Sequence, residues 1–188
     1  MAEFDSTTIG AAKGNPGGYS WFADTSADAP TDASSTLGSD FTNLGYITGD
    51  GVVNATEQDS EDWDDWAGSI VKTTKGTFSE TYEVTWMQND YDVLRVVYGD
   101  DRVSKSGGTV HVEHSGLSDD ERIFVFESLI DSTTILRTVI PRGVLMERGD
   151  VSQANSELHT FTAKIKALAD SSGACSHEYY YDTTYSEE

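Results

Sequence analysis

Two ten-residue segments alternate between apolar and polar side chains, and they constrain the fold more than any other feature of this sequence. Residues 78–87, FSETYEVTWM, place mostly aromatic and aliphatic side chains on one face and mostly Ser, Thr and Glu on the other. Residues 158–167, LHTFTAKIKA, repeat this pattern. A period of two is that of a half-buried β-strand. The sequence therefore predicts a strand in each segment and a chain that is mainly β.

Further strands are predicted where short apolar runs are separated by Gly, Pro, Asp and Ser. These runs are residues 109–114, 122–130, 134–140 and 143–148. The segment IFVFESLI at 123–130 is apolar on both faces at its start. We therefore expect it to be a central strand, or one covered by a helix or by a partner chain.

One segment, NDYDVLRVVYGDD at 89–101, departs from the β pattern. Its apolar residues recur at helical spacing: Val93, Leu94, Val97 and Tyr98. Asn89 or Asp90 can cap the N-terminus of a helix, and Gly99 can end it. The sequence predicts one short helix here.

Composition divides the chain into three parts. The first 40 residues are rich in Gly, Ser, Thr, Ala and Asp, which is typical of an arm or a long loop. The arm contains three neighbouring aromatic residues, Tyr19, Trp21 and Phe22. They predict that the arm docks on its own domain or on a neighbour. We predict an arm at residues 1–40, a β-domain at 41–170 and a C-terminal tail at 171–188.

The charge is strongly negative and unevenly distributed. The chain has 33 acids and 12 bases, a formal charge of −21, and residues 1–66 alone hold 13 acids and one base. Nucleic-acid affinity comes largely from Lys and Arg, so this balance argues against a nucleic-acid binder. It also argues against binding to an anionic membrane surface. A salt-rich host would account for such acidity, because molar salt screens self-repulsion.

Targeting signals are not evident in the sequence. The first residues lack the basic and apolar regions of a signal peptide. No apolar run approaches the roughly 18 residues of a membrane span. We therefore expect a chain that is made in a cytoplasm and has no membrane anchor.

The segment EQDSEDWDDW at 57–66 combines six acids with two tryptophans. It does not fit the EF-hand spacing, because a tryptophan falls on one of the oxygen positions. We expect a solvated acidic loop that is anchored by burial of Trp66, and also of Trp63. A calcium-binding loop is the alternative.

No other pattern in the sequence indicates a catalytic or ligand site. His111 and His114 are three residues apart, which on a strand points them to opposite faces. Cys175 is the only cysteine, so it has no intrachain partner, and its loop, DSSGACS, suggests no plausible base partner. The segment GNPGG at 14–18 lacks the strand, helix and Lys of a phosphate loop. We predict a protein that is not an enzyme, with no catalytic, cofactor-binding or metal-binding residues and no cofactor.

The order of several segments resembles the major tail tube protein of long-tailed, siphovirus-like phages and related archaeal tailed viruses. The segments are FTNLGYITGDGV, EDWDDWAGSIV, TFSETYEVTWM, the predicted helix and the block IPRGVLMERGDV. The resemblance runs from about residue 29 to residue 181, most of the chain. The sequence departs from the family at Asp64 and Asp65, where relatives often carry a base or a neutral residue.

The resemblance implies a β-sandwich or barrel with one flanking helix, an extended arm and a tail. It further implies that six copies close into a ring and that rings stack into the tube of a virion tail. Other tail proteins would meet the tube at its ends. Viral DNA would pass through an acidic lumen without specific binding, and the arm, tail and a long loop would bridge neighbours.

Two surfaces are expected to matter in such a tube. The polar faces of the two alternating strands are candidates for the lumen: Ser79, Thr81, Glu83 and Thr85, and Thr160, Thr162, Lys164 and Lys166. The bases expected at ring contacts are foremost Arg137, Arg142 and Arg148. The alternative function is a carbohydrate-binding β-sandwich module, with Trp and Tyr as stacking platforms and the acidic loop holding calcium.

Overall fold

The computed structural model describes residues 10–16 and 19–184 of the 188-residue chain. The elements within these residues are β1 (Lys13–Gly14), β2 (Ser20–Asp24), β3 (Thr42–Asn43), β4 (Ile47–Asp64), β5 (Ile70–Trp86), α1 (Tyr91–Tyr98), β6 (Val103–Ser106), β7 (Thr109–Val112), β8 (Glu121–Leu129), β9 (Thr134–Arg148), β10 (Phe161–Ala167) and β11 (His177–Asp182). A 3-10 turn at Asp100–Arg102 joins α1 to β6.

Nine of these strands form one antiparallel sheet. Its order is β3-β2-β8-β9-β10-β5-β4, with β1 added beside β8 and β11 added beside β9, while β6 and β7 form a separate hairpin. The prediction of a mainly β fold with one short helix is confirmed. The resemblance implied a β-sandwich or a barrel. Across the described residues the sheet ends at β3 and β4 and does not close into a barrel, so the fold is consistent with a β-sandwich.

Strands from all three predicted parts of the chain meet in this sheet. β2 comes from the predicted arm and pairs with β8, and β11 comes from the predicted tail and pairs with β9. The three-part division at residues 40 and 170 stays a prediction.

The main core lies between one face of the sheet and α1. The alternating side chains of β5 and β10 point into it, as predicted: Tyr82, Val84, Trp86, Phe161, Ala163, Ile165 and Ala167. Trp86 is fully buried, and its indole N–H donates to the Ser20 hydroxyl at 2.9 Å. The hydrogen bond satisfies the one polar atom of a large buried ring, which would otherwise be costly to bury.

The predicted helix is confirmed at both ends. The carboxylate of Asp90 accepts a hydrogen bond from the Val93 backbone N–H at 3.0 Å, which makes Asp90 the N-cap. Gly99 follows the last turn with a φ of 98°, a backbone conformation that residues with a Cβ rarely adopt. The helix buries Val93, Val96, Val97 and Tyr98 in the main core.

β9 is one continuous strand where the sequence predicted two, at 134–140 and 143–148. Pro141 suggested a break, but it lies where the β8 pairing shifts from Phe124–Ile140 to Arg122–Gly143. Proline is tolerated at such a bulge. A Cβ at Gly143 would lie 2.6 Å from Cδ2 of Phe124, so a larger residue would not fit at this bend.

The other face of β8 carries a second, smaller core. Ile123 and Val125 of β8 pack here with Ala23 and Val139. The segment at 27–41 covers them with four apolar side chains: Ala27, Ala29, Leu37 and Phe41. The expectation of a central strand is confirmed, and its second cover is the chain's own segment.

Arg137 holds this covering segment against the sheet. Its three guanidinium nitrogens donate to the Asp32 carbonyl, the Ser35 carbonyl and the Glu127 carboxylate, each at 2.7 Å. Glu127 also accepts from the Asn15 amide at 3.0 Å. Arg137 is 4% exposed and Glu127 9%, so the pair is buried. The expectation that Arg137 lies at a ring contact is wrong, because its donors are used inside the chain.

Asp32 shapes the segment at this contact. Its carboxylate accepts hydrogen bonds from the backbone N–H groups of Ser35 at 2.6 Å and Ser34 at 2.7 Å. These bonds, with those from the hydroxyls of both serines, lower the pKa of Asp32 to about 2. The Asp32 carboxylate therefore stays charged at neutral pH and keeps the turn closed. The backbone carbonyls of Asp32 and Ser35 accept hydrogen bonds from Arg137.

We predict that Arg137→Met destabilises the protein by roughly 3–5 kcal/mol, because Glu127 would remain buried without its partner. Urea unfolding measures the loss. Arg142→Met is the matched control: Arg142 also pairs with a glutamate, Glu121, but at an exposed position, where ion pairs contribute little. Equal losses from the two variants would contradict a specific role for the buried pair.

Candidate assembly surfaces

The most prominent surface is the distal part of the hairpin formed by β4 and β5. From residue 53 to residue 79 almost every side chain is exposed or partly so. At about 3.3 Å per residue, the strand from 53 to 64 extends about 40 Å. In the part of the chain that the structure describes, β4 has a neighbouring strand on one side only. Its outer edge therefore presents unpaired backbone N–H and C=O groups.

The acidic segment lies in this hairpin. Residues 57–64 belong to β4, where a loop was expected. Trp63 is 52% exposed, and Trp66 at the turn is fully exposed. The expectation that both indoles are buried is wrong for the single chain, because no other element within residues 10–16 and 19–184 covers the end of the hairpin. The Trp63 side chain instead reaches from β4 to β5, where its indole N–H donates to the Thr74 hydroxyl at 3.2 Å.

A tightly bonded turn holds Trp66 at the tip. One carboxylate oxygen of Asp65 accepts from the backbone N–H groups of Ala67 and Ser69, both at 2.9 Å. The backbone N–H of Gly68, which has a φ of 81°, donates to the Asp65 carbonyl at 3.0 Å. The turn is ordered by these bonds although its side chains contact little else. More apolar side chains are exposed along β5: Ile70 and Val71 directly after the turn, and Phe78 farther from it, opposite Gln58.

The two predicted lumen faces lie side by side on one face of the sheet. β5 and β10 pair so that Thr85 is opposite Thr162 and Glu83 is opposite Lys164. The hydroxyls of the two threonines are 2.8 Å apart and share a hydrogen bond. On its other side Lys164 is opposite Glu147 of β9. Lys164 thus lies between two glutamates. A base in the lining of an acidic channel would need such acidic neighbours.

The acids of β4 extend this polar face along the hairpin. Glu57 is paired with Ser79, which belongs to the predicted lumen face of β5. Asp59 and Glu61 follow at intervals of two, so they point to the same side of the ribbon as Glu57. Beyond the sheet the face is therefore markedly acidic.

Two of the three arginines expected at ring contacts remain at the surface. Arg142 donates both Nε and Nη2 to Glu121 at 2.8 Å, a two-point pair that raises the pKa of Arg142 and lowers that of Glu121. Arg148 lies over the ring of Tyr98 at 4.7 Å and donates to the Ser115 carbonyl. Other bases are exposed: Lys72, Lys75, Arg102, Lys105 and Lys166.

A pocket of about 480 Å³ opens at the base of the hairpin. It forms where β4 bulges between Ile47 and Val52, so the residues between them leave the β5 ladder. Its walls come from the bulge, β1, β8 and β9. Within the described residues, the Thr48 hydroxyl is buried there without a hydrogen-bond partner. The sequence does not predict this pocket, because the residues of the bulge, TGDG at 48–51, have the composition of an ordinary turn.

A buried carboxylate stands beside the pocket. Glu80 accepts hydrogen bonds from the Asn54 amide at 2.9 Å and from the hydroxyls of Tyr82 and Ser176, both at 3.0 Å. Burial, and secondarily the negative charge of Glu80, raises the pKa of Tyr82, although its bond to Ser176 opposes this. Through Ser176, this hydrogen-bond network connects the segment before β11 to Glu80 of β5, and all three donors to Glu80 are uncharged.

The candidate metal ligands remain apart in the structure. Throughout residues 10–16 and 19–184, no group of three or more His, Cys, Asp or Glu side chains is placed to hold a metal ion. In the acidic segment the strand itself separates the carboxylates, because Glu61 and Asp62 point to opposite faces. Cys175 is half-buried, and burial raises its thiol pKa. The single α-helix of the described part has eight residues, too few to cross a membrane.

Comparison with known protein families identifies the family of the chain that carries these surfaces. The family model described as "Phage tail tube protein" matches residues 1–186. The chain belongs to the phage tail tube protein family. A search of curated proteins finds no match. Membership makes this tail tube protein a structural component of a virion tail that assembles with other copies into a tube.

We predict that Trp66→Ala changes the stability of the monomeric tail tube protein by no more than about 0.5 kcal/mol, since substitutions of exposed side chains usually have effects of this size. Trp86→Ala should cost about 3–5 kcal/mol, because Trp86 fills the main core. Urea unfolding in dilute buffer measures both. A large loss from Trp66→Ala in the monomer would show that the indole is buried against its own chain.

Proposed function

We propose that this tail tube protein forms hexameric rings that stack around an acidic channel through which viral DNA passes. The observation that carries the proposal is the exposed hairpin in a chain that matches the tail tube family over residues 1–186. Its apolar tip and its open β4 edge have no partner within the described residues and can gain one from another copy. The rings would form in the host cytoplasm and meet other tail proteins at the tube ends. A non-contractile, siphovirus-like tail and a salt-rich host belong to this proposal.

Closure into a ring completes the open sheet. An exposed strand edge promotes uncontrolled pairing, and natural proteins protect such edges or pair them. β4 presents its outer edge over a strand of 18 residues. A closed ring uses the same two surfaces in every copy and leaves no edge free. This supports lateral pairing of the sheets around a channel.

The polar face of β5 and β10 is the best candidate for the channel wall. It carries Glu83 and Glu147 against Lys164 and Lys166, and the hairpin adds Glu57, Asp59 and Glu61 on the same side. Duplex DNA carries about one negative charge per 1.7 Å, and a basic wall would bind it. An excess of carboxylates repels the backbone, so the genome can slide without being held.

The charge of each copy makes assembly depend on salt. Each copy brings a formal charge of −21, so neighbouring copies repel one another. The Debye length falls from about 10 Å at 0.1 M to about 3 Å at 1 M ionic strength. Screening therefore favours the tube at high salt, while apolar contacts and ion pairs hold the copies together.

We predict that the purified protein forms hollow tubes or rings, and that they are more abundant in molar salt than in dilute buffer. Negative-stain electron microscopy of matched samples measures this. Equal assembly at both ionic strengths would contradict the charge-screening account. Monomers under both conditions, together with binding to immobilised glycans, would favour the carbohydrate-binding module instead.

We predict that Glu83→Lys slows or blocks genome ejection from virions, because it places a base on the channel wall. An ejection assay on virions with normal tails measures the effect. Asp101→Lys makes the same charge change at an exposed position of the 3-10 turn, outside this face, and should leave ejection unchanged. Normal ejection with Glu83→Lys would remove this face from the channel.

A further inference from the structure

Two lysines of β10, Lys164 and Lys166, point to the same polar face but have different neighbours. Ile165 between them is buried in the main core, so both lysine side chains lie on the opposite face of the sheet. Lys164 is directly opposite Glu83 of β5 and Glu147 of β9. Residues directly opposite each other in an antiparallel pair have Cβ atoms about 4.5–5.5 Å apart. Lys164 therefore has a carboxylate close by on each side.

Lys166 has no acid directly opposite it. The residues opposite are Thr81 of β5 and Val144 of β9. Beyond Thr81, the next residue across the sheet is Ala55 of β4. Beyond Val144, the next is Glu121 of β8, two strands away from Lys166. The lysine thus lies between a hydroxyl and an aliphatic side chain.

The acids nearest to Lys166 already lie closer to other bases. Glu121 is bound at two points by Arg142. Glu83 is a diagonal neighbour of Lys166, about 7–8 Å away, but is directly opposite Lys164. Neither lysine belongs to an ion pair among the described residues, and Lys166 is the more exposed of the two. Its charge is therefore the less compensated one.

A carboxylate of a lateral neighbour is too far away to compensate this charge. β10 is an inner strand, with β5 and β4 on one side of it and β9, β8, β2 and β3 on the other. At about 4.8 Å between strands, a strand added beside β4 would lie about 14 Å from β10. Side chains stand roughly perpendicular to a sheet, so their charged ends stay about as far apart as their strands. The ammonium of Lys166 is left for a molecule that lies over the polar face.

We propose that Lys166 is the residue through which the channel wall contacts the phosphate backbone of the passing DNA. The inference rests on the proposed tube, in which this polar face lines the channel. An ammonium binds phosphate as a point charge, and such a contact carries no sequence information. It therefore suits a wall along which DNA of any sequence must move. Six copies would place six such groups at one level of each ring.

The surrounding acids keep this contact weak. The acids of the polar face and of the hairpin side that continues it outnumber the lysines there: Glu57, Asp59, Glu61, Glu83 and Glu147. The wall as a whole repels the DNA backbone, and a phosphate is attracted only when it comes close to Lys166. The contact should slow the sliding of DNA without holding it.

The kinetics of genome ejection measure the contact. Lys166→Gln should speed ejection at least about twofold in 0.1 M salt, and the ratio of variant to wild-type rates should fall towards one in 1 M salt, because salt weakens phosphate contacts. Comparison at equal salt cancels the effect of salt on the packaged DNA. Lys166→Arg keeps the charge and should eject as the wild type does. Lys105→Gln is the matched control, since it removes the same charge at an exposed position of the separate β6–β7 hairpin.

Formaldehyde fixation during ejection tests the contact without relying on rates. Formaldehyde joins a lysine amine to a nearby base amine through one methylene group, so wild-type tail tube protein should be recovered as a nuclease-sensitive DNA conjugate on a denaturing gel. Lys166→Arg retains the charge but lacks the amine, and it should remove most of the conjugate. Lys164→Arg and Lys72→Arg should leave it, because Lys164 lies between two glutamates and Lys72 lies in the acidic hairpin, opposite Trp63.

The outcomes separate this contact from the channel itself. If Glu83→Lys impairs ejection, but Lys166→Gln ejects at the wild-type rate and Lys166→Arg keeps the conjugate, the contact is overturned and the proposed channel stands. If Glu83→Lys and Lys166→Gln both eject normally and the wild type gives no conjugate, both are removed. A rate ratio that is independent of salt, or a conjugate with another protein in place of DNA, would also overturn the contact. If Lys166→Gln gives no tails, fixation of Lys166→Arg virions decides.

Discussion

Burial of β8 on both faces is the constraint on which the rest of the structure depends. Phe124 and Phe126 point into the main core beneath α1, while Ile123 and Val125 point into the smaller core on the other face. A strand of this kind needs two covers, and an isolated sheet provides neither. The helix supplies one and the segment at 27–41 supplies the other. The Arg137–Glu127 pair fixes the second cover in place.

The same requirement explains why the hairpin differs from the rest of the sheet. The proximal part of β5 buries Tyr82, Val84 and Trp86, but nothing in the described part of the chain forms a layer above or below the distal part. Two strands alone are at best marginally stable in water. The distal ribbon is held by its ladder, by the Asp65 turn and by side-chain bonds such as that from Thr73 to Asp62. In the proposed tube its exposed apolar side chains would be buried against other copies.

The sequence predicts those elements whose pattern is imposed by burial. The alternation in β5 and β10 is visible because one face of each strand is in the core, and α1 is visible because its apolar stripe and its cap at Asp90 occur together. The distal part of β4 is not predicted, because beyond Val52 its residues bury neither face and such a segment needs no alternation. Its partner, with Ile70, Val71 and several threonines, has the β-branched composition of a strand and was the better signal.

The candidate surfaces were predictable only where their residues are close in sequence or share a strand. The polar faces of β5 and β10 could each be read from alternation, but their register, with Glu83 opposite Lys164, depends on pairing across 81 positions of the chain. Arg137 was assigned to a surface because charge alone does not reveal carbonyl partners 102 and 105 residues away. The pocket depends on a bulge in β4, which no local pattern indicated.

Acidity and apolar exposure act against each other at the distal end of the hairpin. The hairpin carries six acids between residues 57 and 65, and these keep an apolar tip in solution and away from other tips. A tip that associated freely would form disordered aggregates, because exposed strand edges and indoles pair without selectivity. Repulsion between like tips would leave burial of the tip to a surface of different composition. In the proposed tube such charge would disfavour contact between identical acidic surfaces.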